Sequence, residues 1–241
     1  MRRLCKTNKL NRWLVSVLAL MVCTPSFADH SFSPFTAVYK VSRNNSDIGI
    51  RTHDLSLKKN QYIYHATMHA TGFASILKSG EVSETSQWQL NNDQIVPLRY
   101  EYRDTDNDNR HAQLEFNWDK NSVTNKVGKK PWKMKIPVGT QDKFSYMLAL
   151  MQDLKHGKKN TEYKIADGGR LKTYQFTTLK KETITTPLGE FNTVKLQRTR
   201  VGKKNRITYL WLLPEKHYLP IKVERHKGGN VYTMVITELK P

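Results

Sequence analysis

Apolar and polar residues alternate with a period of two along most of this chain, the mark of strands with one buried face. Phe35, Ala37, Tyr39 and Val41 share one side of segment 35–43. Ile48 and Ile50, then Leu55 and Leu57, continue the pattern over 48–58, and their change of parity predicts a bulge near His53. Further strands are predicted over 62–68, 81–90, 95–103, 111–118 and 132–136. Others follow over 161–166, 171–179, 191–200, 206–212, 221–226 and 231–239. Asp167-Gly168-Gly169, Pro187-Leu188-Gly189, segment 201–205 and Lys227-Gly228-Gly229-Asn230 supply turns. Connections this short imply antiparallel pairing.

Segment 142–155 breaks the alternation. Phe144, Met147, Leu148, Met151 and Leu154 recur at helical spacing. Thr140 stands as N-cap, Asp142 favours the N-terminal dipole, and Gly157 ends the run. One amphipathic helix is predicted, packed on the concave side of a sheet. A shorter helical turn or two fits Gly72 to Lys78. No linker interrupts the pattern, so residues 29–241 are read as one mainly β domain with a single antiparallel sheet.

The first 28 residues do not belong to that domain. Arg2, Arg3, Lys6, Lys9 and Arg12 make a basic start, Leu14 to Val22 is apolar except for Ser16, and Ser26-Phe27-Ala28 is a small-x-small cleavage pattern. These features predict a signal peptide cleaved after Ala28. The apolar stretch falls short of the roughly 20 residues of a membrane span. Leu20-Met21-Val22 lacks the small residue that acylation of Cys23 would need. No later run could span a bilayer, so the mature chain is expected in a bacterial periplasm, without a transmembrane segment. Both cysteines, Cys5 and Cys23, leave with the signal, which excludes disulfides, thiolate metal sites and a cysteine nucleophile.

Charge narrows the partners. The chain carries 40 Lys+Arg against 21 Asp+Glu, a net charge of +19. Residues 29–120 hold 10 basic and 12 acidic side chains, whereas residues 121–241 hold 25 and 9. A cationic C-terminal half in an exported protein fits anionic lipid, lipopolysaccharide, acidic glycan or an envelope protein. The compartment argues against nucleic acid, and a solvated, solubilising lysine face is the plainer alternative.

Four segments carry a resemblance. Thr186-Pro187-Leu188-Gly189-Glu190-Phe191-Asn192-Thr193-Val194 is similar to a Thr-Pro-x-Gly-x-Phe-x-Thr hairpin of the exported family known as domain of unknown function 3108. Asp142-Lys143-Phe144-Ser145, Trp211 with Tyr218-Leu219-Pro220-Ile221, and Pro97-Leu98 agree in order, so the resemblance spans roughly residues 35–239. It implies a relative of the periplasmic lipoprotein-localisation factors: an unclosed, highly curved β-barrel wrapped around a helix. Those relatives hold lipid or acyl chains on the concave face. The family supplies no catalytic residues to carry over, and a shared fold does not by itself assign a function.

Candidate chemistry is sparse. His65 and His69 have a zinc-like spacing on a helix, but on a strand they lie roughly 13 Å apart, beyond one metal's reach. Asp104, Asp106, Asp108 and Glu115 match the first, third, fifth and twelfth positions of a calcium loop and form a weak calcium candidate. Flanking strands favour an acidic hairpin turn instead. Ser75-x-x-Lys78 fits a penicillin-interacting nucleophile without its companion motifs. No phosphate loop, dinucleotide fingerprint or other cofactor motif is present.

The basic hairpin is the remaining binding candidate, beside the plainer reading that its arginines simply reach solvent where the strand leaves the sheet. If Val194 and Leu196 face the concavity, Arg198 and Arg200 continue that face to its rim, where guanidinium groups can clamp a phosphate or carboxylate. Trp132, Tyr209 and Trp211 are the candidate aromatic walls. The sequence therefore points to a non-enzymatic periplasmic binding or carrier protein for an amphipathic, anionic, lipid-like ligand, with no cofactor. The alternative is an envelope scaffolding protein that docks through its basic C-terminal half. A hydrolase of envelope polymers ranks third, because no nucleophile and base are paired.

Overall fold

In a computed structural model, the structure describes residues 32–241 apart from 78–79, 108–109 and 128–130. The predicted signal segment lies outside the described residues. Eight strands come first: β1 (Phe35–Arg43), β2 (Ser46–Lys58), β3 (Gln61–Ala70), β4 (Glu81–Asn91), β5 (Gln94–Asp104), β6 (Ala112–Asn117), β7 (Ser122–Val127) and β8 (Trp132–Lys135). Six follow: β9 (Asn160–Asp167), β10 (Arg170–Thr186), β11 (Gly189–Arg200), β12 (Lys203–Leu213), β13 (Leu219–Lys227) and β14 (Asn230–Lys240). A short helix α1 (Phe73–Leu77) joins β3 to β4, and α2 (Ser145–Lys155) joins the two series.

All fourteen strands form one antiparallel sheet in the order β8-β7-β6-β5-β4-β3-β2-β1-β14-β13-β12-β11-β10-β9, which does not close. Two meanders thus meet where β1 pairs with β14. Five hairpins turn on two consecutive positive-φ residues: Asn44-Asn45, Lys59-Asn60, Asn92-Asp93, Gly168-Gly169 and Gly228-Gly229. Two such residues make the type I′ turn, whose twist matches the strands it joins. Asn, Asp and Gly tolerate that backbone, so the turns are written into local sequence.

The free edges β8 and β9 approach one another without pairing. Gln141 runs beside β9, giving its N–H to Lys164 and accepting from the N–H of Ala166, both at 2.8 Å. The Gly169 N–H donates to Asn125 Oδ1 at 3.2 Å, and the Trp132 ring lies over Gly169. A Cβ at Gly169 would stand 2.1 Å from that ring, so the seam requires glycine there.

Helix α2 lies inside the curve. Phe144, Leu148 and Met151 join the core of the first meander, while Tyr146, Leu150 and Leu154 join that of the second. The predicted apolar stripe is therefore only part of what is buried, because sheet surrounds the helix. It starts three residues later than predicted. Asp142, not Thr140, satisfies its first N–H groups, accepting from Phe144 N and Ser145 N at 2.7 Å each.

Three strand readings change. β7 does not stand out in the sequence because its buried positions include Asn125 beside Val123. β10 continues to Thr186 past a bulge at Leu179. The β2 irregularity falls at Ile48, where Val41 pairs with Gly49 and Ser42 with Asp47. His53 stays in register with Leu55, both facing the core.

Candidate functional site

The inward side chains change character along each strand. From one end of the barrel toward the other, β4 presents Trp88, Ser86 and Glu84, and β2 presents Leu55, His53 and Arg51. β11 presents Val194, Leu196 and Arg198; β12, Leu212, Leu210 and Thr208; β13, Ile221, Val223 and Arg225; β14, Ile236, Met234 and Tyr232. The first end is filled by aromatic rings, with a second hollow of about 450 Å³ outside them between Phe32, Phe35, Met151 and Leu219. Phe32 sets its ring edge-on against Trp88 at 5.3 Å, and Trp88 stacks on Tyr62 at 4.2 Å.

The other end opens into a cavity of about 540 Å³. Its floor is the start of α2, with Phe144 stacked on Tyr64 at 4.1 Å. Val41, Ile48, Met68, Val223 and Met234 make apolar wall, while Arg51, Lys143, Arg198, Arg225 and Lys227 bring positive charge against one carboxylate among the described residues, Glu84.

That carboxylate is already engaged. Arg51 Nη2 donates to Glu84 Oε2 at 2.5 Å, Tyr100 OH donates to Oε1 at 2.7 Å, and Lys143 Nζ stands 3.7 Å away. Burial alone would raise the Glu84 carboxyl, but the Arg51 and Lys143 charges and these hydrogen bonds hold it at about 2. Arg51 Nε also donates to His53 Nε2 at 2.9 Å. A guanidinium can only donate, so neutral His53 carries its proton on Nδ1 and gives it to Tyr64 OH at 2.7 Å. Burial, then the Arg51 charge, pushes His53 well below its ordinary value. Both ring nitrogens of His53 and the Glu84 carboxylate are thus committed to structure.

Beneath the floor, Asp142 accepts from Ser86 Oγ at 2.6 Å as well as from the α2 N–H groups. Burial pushes its carboxyl up to about 6, against the pull of those hydrogen bonds.

The sequence candidates scatter. Arg198 lines the mouth, donating to Tyr146 OH at 2.5 Å and to Thr208 Oγ1 at 2.8 Å. Its guanidinium lies 4.7 Å from the centre of the Tyr174 ring. Arg200 pairs with Lys203 at the hairpin end and does not line the cavity. Tyr209 and Trp211 alternate with the inward Thr208, Leu210 and Leu212 and so face outward. There Lys195 and Lys222 cover the Trp211 ring at 4.5 and 4.4 Å, and its Nε1 donates to Glu182. Trp132 belongs to the seam. These three aromatics do not wall one cavity with Arg198.

The described calcium candidates have other partners. Glu115 on β6 pairs with Lys126 at 2.9 Å, Asp106 accepts from Gly80 N, and Asp104 is buried near Arg110. Asp108 lies outside the described residues. Among the described residues no three His, Cys, Asp or Glu side chains gather to hold a metal. His65 bonds Thr85 and His69 bonds Glu81. Ser75 Oγ donates to the Gly72 carbonyl, while Lys78 lies outside the described residues. Sequence reasoning passed over Arg51, Glu84 and Arg225. Their signal was the same alternation that marks Arg198: Ile221-x-Val223-x-Arg225 repeats Val194-x-Leu196-x-Arg198.

The chain matches the family of proteins of unknown function DUF3108 over residues 37–237 and belongs to it. No curated protein matches it. Among solved structures it is similar to the β-barrel-like protein of domain of unknown function DUF1849 from Brucella abortus. The two are 10% identical with a TM-score of 0.58, over 86% of this chain and 97% of that one. A lipoprotein candidate from Parabacteroides distasonis is 14% identical with a TM-score of 0.38, over 87% of this chain and 96% of the other. An exported-protein candidate with a YmcC-like fold from Bacteroides fragilis is 8% identical with a TM-score of 0.37, over 86% and 95%. The Brucella protein shares the fold at a distance that says nothing of function. Among the described residues no helix is long and apolar enough to cross a membrane.

Proposed function

We propose that this member of the DUF3108 family is a non-enzymatic binding or carrier protein of the bacterial periplasm for an amphipathic, anionic, lipid-like ligand. The observation that carries the reading is the gradient inside the barrel, from packed apolar floor through apolar wall to cationic mouth. An acyl or other apolar group would lie along Val41, Met68, Val223 and Met234, with its charged end toward the arginines. Apolar burial stabilises such a complex by about 0.8 kcal/mol per CH₂. The periplasmic assignment rests on the leader-like N-terminus. The non-enzymatic reading is supported by the commitment of His53 and Glu84 to fixed partners and by the lack of serine and cysteine among the described residues lining the mouth.

The outer face of the second meander supports the alternative of an envelope docking protein, since Lys195 and Lys222 stack on the outward Trp211 there. Native mass spectrometry of the protein purified gently from periplasm separates the two. A bound mass that is released on denaturation and extracts as lipid is expected. A clean apo mass, with no uptake from envelope extract, would overturn the carrier reading and leave the docking face.

A further inference from the structure

Arg198, Thr208 and Arg225 form one row across three adjacent strands. Arg198 pairs with Thr208, and Thr208 pairs with Arg225. Partners in register point to the same face, so all three side chains enter the mouth, as their place in its lining records. Strands lie about 4.8 Å apart, which sets the two arginine backbones about 10 Å from each other with a hydroxyl between them.

The row is arranged for a guest. Arg198 uses Nη1 on Tyr146 and Nη2 on Thr208, and it is held against Tyr174. Of the five N–H donors of a guanidinium, three stay available at a fixed position. Arg225 reaches the mouth from the far side of Thr208, open to solvent. Partial desolvation, then the neighbouring charges of Arg198 and Arg206, lower its proton affinity. Nearby acids are occupied: Glu84 by Arg51 and Tyr100, Glu224 by His226 at 2.7 Å. Two guanidinium groups at the rim of an apolar cavity, with no carboxylate between them among the described residues, lower their energy by sharing an anion.

We propose that Arg198 and Arg225 form a head-group site that holds a single tetrahedral oxyanion of the phosphate type, with Thr208 beneath it. The site gives chemical identity to the charged end of the ligand and so rests on the carrier reading above. A tetrahedral phosphate presents oxygens to both sides at once, which suits forks approaching from opposite strands, whereas a planar carboxylate is satisfied by one fork.

The test is calorimetric titration of the mature protein with n-dodecyl phosphate, the neutral n-dodecyl maltoside and inorganic phosphate, each detergent below its micellar concentration. The alkyl phosphate is expected to bind with a stoichiometry of one and much more tightly than the maltoside. Arg225→Gln should weaken it about tenfold or more, as loss of a charged hydrogen-bond partner does. Lys181→Gln, which removes an equal charge from an exposed position on β10, should leave it unchanged. Arg198→Gln should behave like Arg225→Gln, and the exposed Arg225 keeps the test decisive if Arg198→Gln fails to fold. Equal binding of alkyl phosphate and maltoside, untouched by Arg225→Gln, would overturn the head-group site while leaving the carrier reading intact. Inorganic phosphate binding as tightly as its dodecyl ester, and weakened by Arg225→Gln, would keep the site but overturn the amphiphile. Absence of binding by all three probes would overturn both.

Discussion

The two ends of the barrel are made from the same strands and differ in what those strands turn inward. At the aromatic end Trp88, Tyr62 and Phe32 pack ring against ring, and Trp88 is fully buried. Four residues along β4, Glu84 sits in an ion pair with Arg51 beside open space. The first end buries aromatic surface, which stabilises the fold in proportion to area. The second commits charges to a wall that the fold must solvate or pair. A small change of residue type, repeated at matching positions on six strands, thus divides one curved sheet into a half filled by its own aromatic and aliphatic side chains and a half that opens into a charged cavity. Helix α2 marks the boundary, because its first turn floors the cavity and the rest fills the barrel.

The contrast can be broken by mutation. Trp88→Ala is expected to destabilise by about 3–5 kcal/mol, seen as a lowered urea midpoint, because it empties a fully enclosed site. Arg225→Gln at the mouth should change stability by less than about 0.5 kcal/mol. Comparable losses at the two ends would contradict the division.

Glu84→Gln is expected to cost about 3 kcal/mol, since Arg51 would keep a largely buried charge without its counter-ion. The wild-type pair also carries a pH signature. The folded carboxyl titrates at about 2, below its ordinary 4.5. Its stabilisation is therefore complete above 4.5 and is lost as pH falls toward 2. The variant should lack that part of the acid-unfolding profile.

Asp142 works with the opposite sign. Its folded carboxyl titrates at about 6, above its ordinary 3.8. Its contribution is present below 3.8 and is lost as pH rises through 6. Asp142→Asn, which still caps α2, should flatten stability between those values and be tolerated at pH 7. Asp142→Ala should cost about 1–2 kcal/mol as a lost cap.

Tyr146→Phe makes the smallest change. Loss of the hydroxyl that receives Arg198 is expected to cost about 1 kcal/mol. If the mouth positions Arg198 for a ligand, the same variant should weaken alkyl phosphate binding more than it weakens folding.

The strands, the turns and α2 could be read locally. Alternation marked β1 to β6 and most of the second meander, and the glycine pairs at 168–169 and 228–229 marked hairpins because few other residues adopt their backbone. β7 escaped notice because Asn125 sits inward to hold Gly169 across the seam, a need set by a residue 44 positions away. The binding candidates were half legible. Arg198 followed from strand parity, whereas the candidate walls Tyr209 and Trp211 fell on the outer face because they alternate with the inward Thr208, Leu210 and Leu212.

What the sequence determined by itself is periodicity: which residues alternate, where the chain can turn, and where one helix interrupts. Those properties depend on backbone preferences and on neighbours two to four residues away. Only the tertiary structure decided that Arg198, Thr208 and Arg225 form one row, that Glu84 answers Arg51, and that α2 stops short of the mouth. Those relations depend on register between strands far apart in the chain. A shift of one residue in β13 would turn Arg225 outward while leaving its local pattern unchanged.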